Sequence, residues 1–414
     1  MPVKRFPSDV TASEIRALSP ELPVRVVEEI LREVRSGGDR SVLDFEHRFG
    51  GAPAPGPDAK IQRVDPDFVQ SSLDGLDSDL RAAIELAIDN VRTVARRQLG
   101  EDTAVTLPQG QIVESLSIPI RRAGAYVPGG RGSYPSTAIM CLTTARVAGV
   151  ESLCVVSPMR ENGQVDPAVA AVCALLETDE LYGIGGAQAV AALAYGTESI
   201  EPVDVVVGPG NAFVQEAKRQ LVGRIGIDGV AGPSELVVVA DEHADPEVVA
   251  LDLLAQGEHG PDSLVVLISP DPAVLDAVIE RSRDIPAEMA VVLAHDLESA
   301  VRLADEIAPE HMQIVVDEPT AHKLAREVTR AGCLFVGVNG ATAFGDYIAG
   351  SNHVLPTGGA ARYASALSTA TFRRRLSRVS IPDEAVGELA RAGAALAAAE
   401  GFPLHGRSME VRIK

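Results

Sequence analysis

Cysteine is scarce in this chain: Cys141, Cys154, Cys173 and Cys333 are widely spaced, and no two form a CxxC pair. That spacing excludes a cysteine-ligated zinc site. Each lies in or beside an apolar run, so the four read as buried free thiols in a reducing cytoplasm. Basic residues are few as well, 37 Lys and Arg against 58 Asp and Glu, for a net charge of −21. Nucleic-acid affinity rests on clustered Lys and Arg, so no nucleic-acid partner is expected. The surplus carboxylates serve solubility. Long apolar runs are missing too: none approaches the roughly 20 residues of a membrane helix. The opening MPVKRFPSDV has no apolar core of the signal-peptide kind. A cytoplasmic protein without membrane contact is the expectation.

What the chain does have is length and apolar content. Its 414 residues allow two or three domains. At 46% hydrophobic and 23% charged it can bury a large core. Residues 1–22 read as an irregular lead with short helical potential over 12–18. A helix is expected over 25–35, with Val26, Val27, Ile30 and Val34 on one face and Gly37–Gly38 ending it. After a proline- and glycine-rich loop at 50–57, a longer helix is expected over 77–99. Its stripe is Leu80, Ile84, Ile88, Val91 and Val94, and Gly100 stops it.

From Pro119 the texture changes to β-branched runs alternating with alanine-rich helical segments. Strands are expected at 125–127, 152–157, 203–207, 236–240, 264–268, 290–294, 313–316 and 334–336. Helices are expected at 166–176, 187–195, 212–221, 246–259, 272–281 and 297–307. Near-continuous apolar strands between helices indicate parallel sheets covered on both faces. So many strands fit two α/β units better than one sheet. After Ser380 the chain turns helical and alanine-rich over 384–400.

Several loops could carry chemistry. Three glycine-rich turns sit at strand ends: 126–132 (YVPGGRG), 183–188 (GIGGAQ) and 208–211 (GPGN). The last two run into helices, where turn amides could face a phosphate. None is a proper GxGxxG, and each could simply be a tight turn. Asp245–Pro246 opens a helix whose inward face would hold Leu251, Leu254 and Ala255. Near its end Gln256 and His259 project from nearly the same side, a spacing that suits one metal ion or a solvated terminus. Ser234, in GPSE at 232–235, could orient a ligand or make the turn. Glu310 and His311 are adjacent at a helix-to-strand junction, where an imidazole is a natural base at neutral pH. The segment 345–353 (GDYIAGSNH) brings Asp346 and His353 into a loop poor in apolar residues. Near the C-terminus, 400–405 (EGFPLH) ends on His405. His47, His243, His295 and His322 read as solvated.

Together these loops resemble the histidinol dehydrogenase family. The matching motifs are YVPGG at 126–130, GIGGAQA at 183–189, GPGNAFVQEAK at 208–218 and AGPSE at 231–235. They continue with LLAQGEHGPDS at 253–263, APEH at 308–311 and GDYIAGSNHVLPT at 345–357. The resemblance implies a fold of two incomplete Rossmann-like parallel-sheet α/β domains with small N- and C-terminal extensions. Its implied boundaries are an arm at 1–22, a discontinuous large domain at 23–121 and 235–365, and a second domain at 122–234. A helical extension at 366–414 would dock on a partner subunit.

The implied activity is NAD-dependent, zinc-dependent oxidation of L-histidinol to L-histidine through the aldehyde, the last step of histidine biosynthesis. The implied zinc ligands are Gln256, His259, Asp346 and His405, one ion per subunit. Glu310 and His311 would form the acid/base centre. Ser234, His311, His353 and Glu400 would bind substrate beside the metal ligands. Tyr126, Gln188 and Asn211 would contact NAD. The family is homodimeric, with Glu400 and His405 completing the partner's site. Gly257 stands where the family often has alanine, a change expected to loosen the helix by about 1 kcal/mol. The basic cluster Arg373–Arg375 has no functional account in this reading. The rivals are a zinc- and NAD-dependent dehydrogenase of another small alcohol, a zinc hydrolase using Glu310, and a binding protein without catalysis.

Overall fold

The computed structural model describes residues 3–19, 23–129, 132–178, 180–230 and 232–414. Gly130 and Arg131 of the first glycine turn, Ala231 of AGPSE, and residues 1–2 and 20–22 of the expected arm lie outside the described residues. The chain forms two units, 1–98 with 120–372, and 99–119 with 373–414.

The first unit holds two parallel sheets. One is built from β1 (Lys4–Phe6), β9 (Glu235–Ala240), β10 (Leu264–Ser269), β11 (Glu288–Leu293), β12 (His311–Val315) and β13 (Cys333–Val336). Their order is β1-β11-β10-β9-β12-β13. The other is built from β4 (Arg122–Tyr126), β5 (Ser152–Val156), β6 (Glu180–Tyr182), β7 (Val205–Val207) and β8 (Gly226–Ile227). Their order is β6-β5-β4-β7-β8. In each, the chain steps outward from a central strand and then reverses to its other side, leaving a switch point between β9 and β12 and another between β4 and β7. This is the α/β fold that the alternating texture predicts.

Successive side chains of the central strands feed opposite faces. Val237 and Val239 enter one apolar cluster, while Leu236, Val238 and Ala240 enter the other. In the second sheet Leu153 and Val155 face one side, and Cys154 and Val156 the other. Cys141, Cys154 and Cys173 are buried free thiols, and Cys333 is partly buried.

Three local expectations are corrected. The lead is not wholly irregular: β1 pairs in parallel with β11, Phe6 opposite Val292. The helix that starts at Val24 does break at Gly38, φ +54°, as Gly37–Gly38 predicts, but the chain re-enters a helix at once and continues to Phe49, a second segment beyond the expected helix. The Ser78–Arg97 helix buries Ile84, Ala87, Ile88, Val91 and Ala95, leaving Leu80 and Val94 exposed. The buried stripe is rotated from the expected one because it includes small residues as well as bulky ones. Small Ala87 and Ala95 belong to the buried side of this helix, which packs on the Pro135–Ala148 helix.

The second unit contains an antiparallel sheet, β14 (Arg373–Ser380), β3 (Ile112–Pro119) and β2 (Thr103–Thr106), in that order, which periodicity did not reveal. Helices Asp383–Ala399 and Pro403–Glu410 follow it. Here the basic cluster finds a structural role. Arg373 Nε donates to Ser117 Oγ at 2.7 Å, and Arg375 Nη1 to the Glu101 carbonyl at 2.7 Å. Among the described residues no helix is long and apolar enough to cross a membrane.

Candidate active site

Strands β9 and β12 are neighbours, with Leu236 opposite His311, so Glu235 and Glu310 stand side by side at their amino ends. The Glu310 carboxylate is fixed by two donors to Oε2, Ser234 Oγ and the Glu235 amide, each at 2.8 Å. Pro309 and the left-handed Ala308, at φ +52°, end the preceding helix, Leu297–Ile307, and turn the chain into β12. His311 is buried. Its Nδ1 lies 3.2 Å from the Glu235 carbonyl and 3.5 Å from Glu310 Oε2, and its Nε2 lies 3.5 Å from Asp346 Oδ1. A carbonyl can only accept, so the Glu235 contact places a proton on Nδ1. Burial disfavours the imidazolium, but the carboxylates of Glu310 and Asp346 outweigh it and push His311 up to about 10.

Asp346 does not sit in a loop: a short helix, Thr342–Tyr347, carries it. Burial pushes its carboxyl up, yet His311, His353 and His259 together hold it below the usual carboxylate range. His353 Nδ1 donates to the Asp346 carbonyl at 2.7 Å, and its Nε2 lies 3.2 Å from Thr137 Oγ1. Thr137 belongs to the helix that follows β4, so this contact joins the site to the second sheet's layer. Burial keeps His353 below its ordinary value, which favours the neutral ring.

The helix opened by Asp245–Pro246 ends at Gly257, and its inward face differs from the expectation. Val249, Ala250, Leu253, Gln256 and Gly257 are buried, while Leu251 is 58% exposed and Ala255 is also exposed. The cause lies in the sequel of the chain. Ile285 and Pro286 press on Gly257 so closely that a Cβ there would stand 2.8 Å from Ile285 Cγ1. His259 follows the helix end, with Nδ1 3.2 Å from the Gln256 carbonyl. With the carbonyl accepting, that contact occupies Nδ1 and leaves Nε2 as the nitrogen available to a metal.

Gln256 is 2% exposed, and its side-chain Nε2 position has no hydrogen-bond partner. A buried amide end without a partner is costly, and a flip of the amide would present its oxygen there to a cation. With the His259 nitrogen and the Asp346 carboxylate, these are N and O donors acceptable to zinc. Among the described residues no group of three or more His, Cys, Asp or Glu forms a metal site. The expected set is different in kind: it includes an amide, and its fourth member lies in the second unit. There Glu400 caps the end of the Asp383–Ala399 helix, and His405 stacks on Phe402 with ring centroids 5.3 Å apart.

The residues expected to contact NAD gather at the carboxyl edge of the second sheet. Tyr126 ends β4, and its buried hydroxyl accepts from the Gly186 amide at 3.1 Å. Burial pushes that phenol up to about 12. Gln188 Nε2 and the Gly185 amide both donate to Glu46 Oε1, at 2.8 and 2.9 Å. Burial raises the Glu46 carboxyl, partly offset by those two bonds. Asn211 caps the Ala212–Leu221 helix, accepting from the Phe213 and Val214 amides at 3.1 and 3.2 Å. The Gly208 amide donates to Asp228 Oδ2 at 2.7 Å. Several turn amides that could have faced a phosphate are therefore engaged by this chain's own side chains. Glu46, Asp228, Thr137, Glu235 and Arg16 were missed by motif reading. Only Glu235, inside GPSE, carried a local signal, and the others meet their partners from far along the chain.

Comparison with known proteins supports the resemblance. A family model described as histidinol dehydrogenase matches residues 17–413. Histidinol dehydrogenase of Syntrophotalea carbinolica is 41% identical over 409 residues, covering 95% of this chain and 94% of the relative. That of Parasynechococcus marenigrum is 42% identical over 402 residues, covering 94% and 90%. The crystal structure of histidinol dehydrogenase from Elizabethkingia anophelis superposes with a TM-score of 0.89 at 27% identity, over 99% of this chain and 98% of that one. An acetylating aldehyde dehydrogenase from Geobacillus thermoglucosidasius, at 12% identity and TM-score 0.51, shares the fold alone. With its sequence matched almost end to end by the family model and by relatives about 40% identical, the chain belongs to the histidinol dehydrogenase family.

Proposed function

We propose that this protein oxidises L-histidinol to L-histidine through the aldehyde, using NAD and one zinc ion per subunit, in a homodimer whose subunits share active sites. The observation that carries the reading is the placement of His311 between two carboxylates, Glu310 and Asp346, at 3.5 Å from each. NAD⁺ would accept a hydride in each half-reaction, and zinc would supply a Lewis-acidic anchor for the substrate's imidazole and amine. Support for a dinucleotide comes from Tyr126, Gln188 and Asn211 at the carboxyl edge beside the β4/β7 switch point, where open α/β sheets bind their ligands.

In the metal-free protein Glu310 and Asp346 keep the His311 ring protonated up to about pH 10, and a metal held by Asp346 would draw off that carboxylate's charge and favour the neutral ring. With Nδ1 committed to the Glu235 carbonyl, the neutral ring takes the alcohol proton on Nε2 as hydride leaves the carbinol carbon. Asp346 Oδ1 faces the imidazolium that forms. In the second half water adds to the aldehyde carbon, and the Glu310 carboxylate removes its proton. Ser234 and the Glu235 amide hold Oε2 of that carboxylate, so its orientation toward the water is set before substrate arrives. His311 then serves as base again while the second hydride departs. Gln256, His259, Asp346 and His405 would hold the metal. His353, Ser234 and Glu400 would contact the substrate, Glu400 and His405 reaching the partner's site. Positioning of this kind is worth roughly 7–11 kcal/mol in favourable cases.

The deciding assay follows NADH absorbance with L-histidinol before and after chelation. Two NADH per histidinol, lost on chelation and restored by zinc, is the expected result. No NADH from histidinol, with turnover of another small alcohol, would overturn the substrate assignment.

A further inference from the structure

Arg16 closes the short Ala12–Arg16 helix near the start of the chain, yet its side chain reaches Glu235 and the turn that precedes Glu310 and His311. Its guanidinium pairs with Glu235 Oε1. Nε donates to the Ile307 carbonyl at 2.8 Å, and Nη2 to the Ala308 carbonyl at 2.9 Å. Ile307 and Ala308 are the last carbonyls before the turn that delivers Glu310 and His311. Glu235 is 3% exposed, and two of its side-chain partners, Arg16 and the Glu310 amide, belong to or grip the same turn. Oε1 also accepts from the Gly358 amide at 3.1 Å, and Oε2 accepts from the Glu310 amide at 3.3 Å. Glu310 in return accepts from the Glu235 amide. The two residues thus hold each other's main chains across neighbouring strands.

We propose that Glu235, gripped by Arg16, is a positioning residue that sets the orientation of the Glu310 carboxylate and so the rate of the aldehyde half-reaction. This rests on the reading of Glu310 as the group that deprotonates water. Two buried carboxylates side by side repel each other. The arrangement persists because Arg16 supplies a cation to one, and Ser234 with the Glu235 amide supplies hydrogen bonds to the other. Glu235→Gln would break the pattern while keeping its shape. An amide has one acceptor oxygen, so its NH₂ would have to face either the guanidinium or the donors on its other side. Arg16→Met would leave the Glu235 charge buried beside that of Glu310 with no counter-ion. Both act through one contact chain, so their effects should not add.

The experiment measures NADH formation from L-histidinal by the zinc-loaded enzyme carrying Glu235→Gln, Arg16→Met or both, with melting curves and an Arg16→Lys variant as controls. Glu235→Gln is expected to lower kcat roughly 10- to 100-fold while KM stays within about 3-fold. The double variant should be no slower than Arg16→Met alone, and Arg16→Lys should recover part of the loss. Unchanged kcat in Glu235→Gln, or losses that multiply in the double variant, would overturn the proposal. If the unaltered enzyme forms no NADH from histidinol or histidinal, the proposed function fails on its own account. A crystal structure of Glu235→Gln then decides the positioning claim. A Glu310 carboxylate moved by about 1 Å supports it, since shifts of that size can cost roughly 100-fold in rate. An unmoved carboxylate refutes it.

Discussion

Oδ1 of Asp346 stands 3.5 Å from Nε2 of His311, so the carboxylate proposed to hold a metal also touches the residue proposed as base. Removing its charge should act on both. Asp346→Asn is expected to weaken zinc binding by well over 10-fold and to abolish turnover. Metal content after dialysis is the measurement, and full zinc retention would remove Asp346 from the ligand set.

The acid/base pair should separate by half-reaction. His311→Asn is expected to lower turnover from histidinol roughly 100- to 10,000-fold, with substrate binding little changed. Glu310→Gln should cost more when the aldehyde is the starting substrate than when the alcohol is. Steady-state kinetics with each substrate checks this. Near-normal turnover in His311→Asn would reassign the base.

A pH dependence of stability follows for protein stripped of metal. His311 is raised from 6.5 to about 10 when folded, so its pairing stabilises the fold fully below pH 6.5. That stabilisation is lost as the pH climbs through about 10. Asp346 is lowered, so its contribution disappears only in acid, below its ordinary 3.8. His353 is also lowered, and its effect falls below pH 6.5. Urea unfolding at neutral and alkaline pH should therefore show a decline that His311→Asn lacks. An equal decline in both proteins would count against the His311 pairing.

Gly257 tests packing against propensity. Alanine favours a helix by about 1 kcal/mol over glycine, which is why glycine there looked like a weakness. Ile285 and Pro286 leave no room for a methyl group, and overpacking costs about 1–3 kcal/mol. Gly257→Ala should lower stability by about 1 kcal/mol net, measured by denaturant unfolding. A more stable variant would show that Ile285 yields easily.

The sequence alone determined the α/β class, most of the parallel strands and the adjacency of Glu310 and His311. Each depends on neighbours within a few residues: β-branched runs, caps, and a proline turn into a strand. Helices such as Ala212–Leu221, Pro272–Arg281 and Leu297–Ile307 were legible to the residue for the same reason. Tertiary structure decided what depends on distant partners. The sheet of β14, β3 and β2 joins Arg374 to Ile118, and no local pattern announces a pairing over that separation. The buried face of the Pro246–Gly257 helix turned on Ile285, outside any window centred on the helix. Above all, Arg16 meets Glu235 only because the lead folds back onto the turn before β12. A salt bridge leaves no periodicity in the chain, because its energy depends on distance and burial and not on sequence spacing.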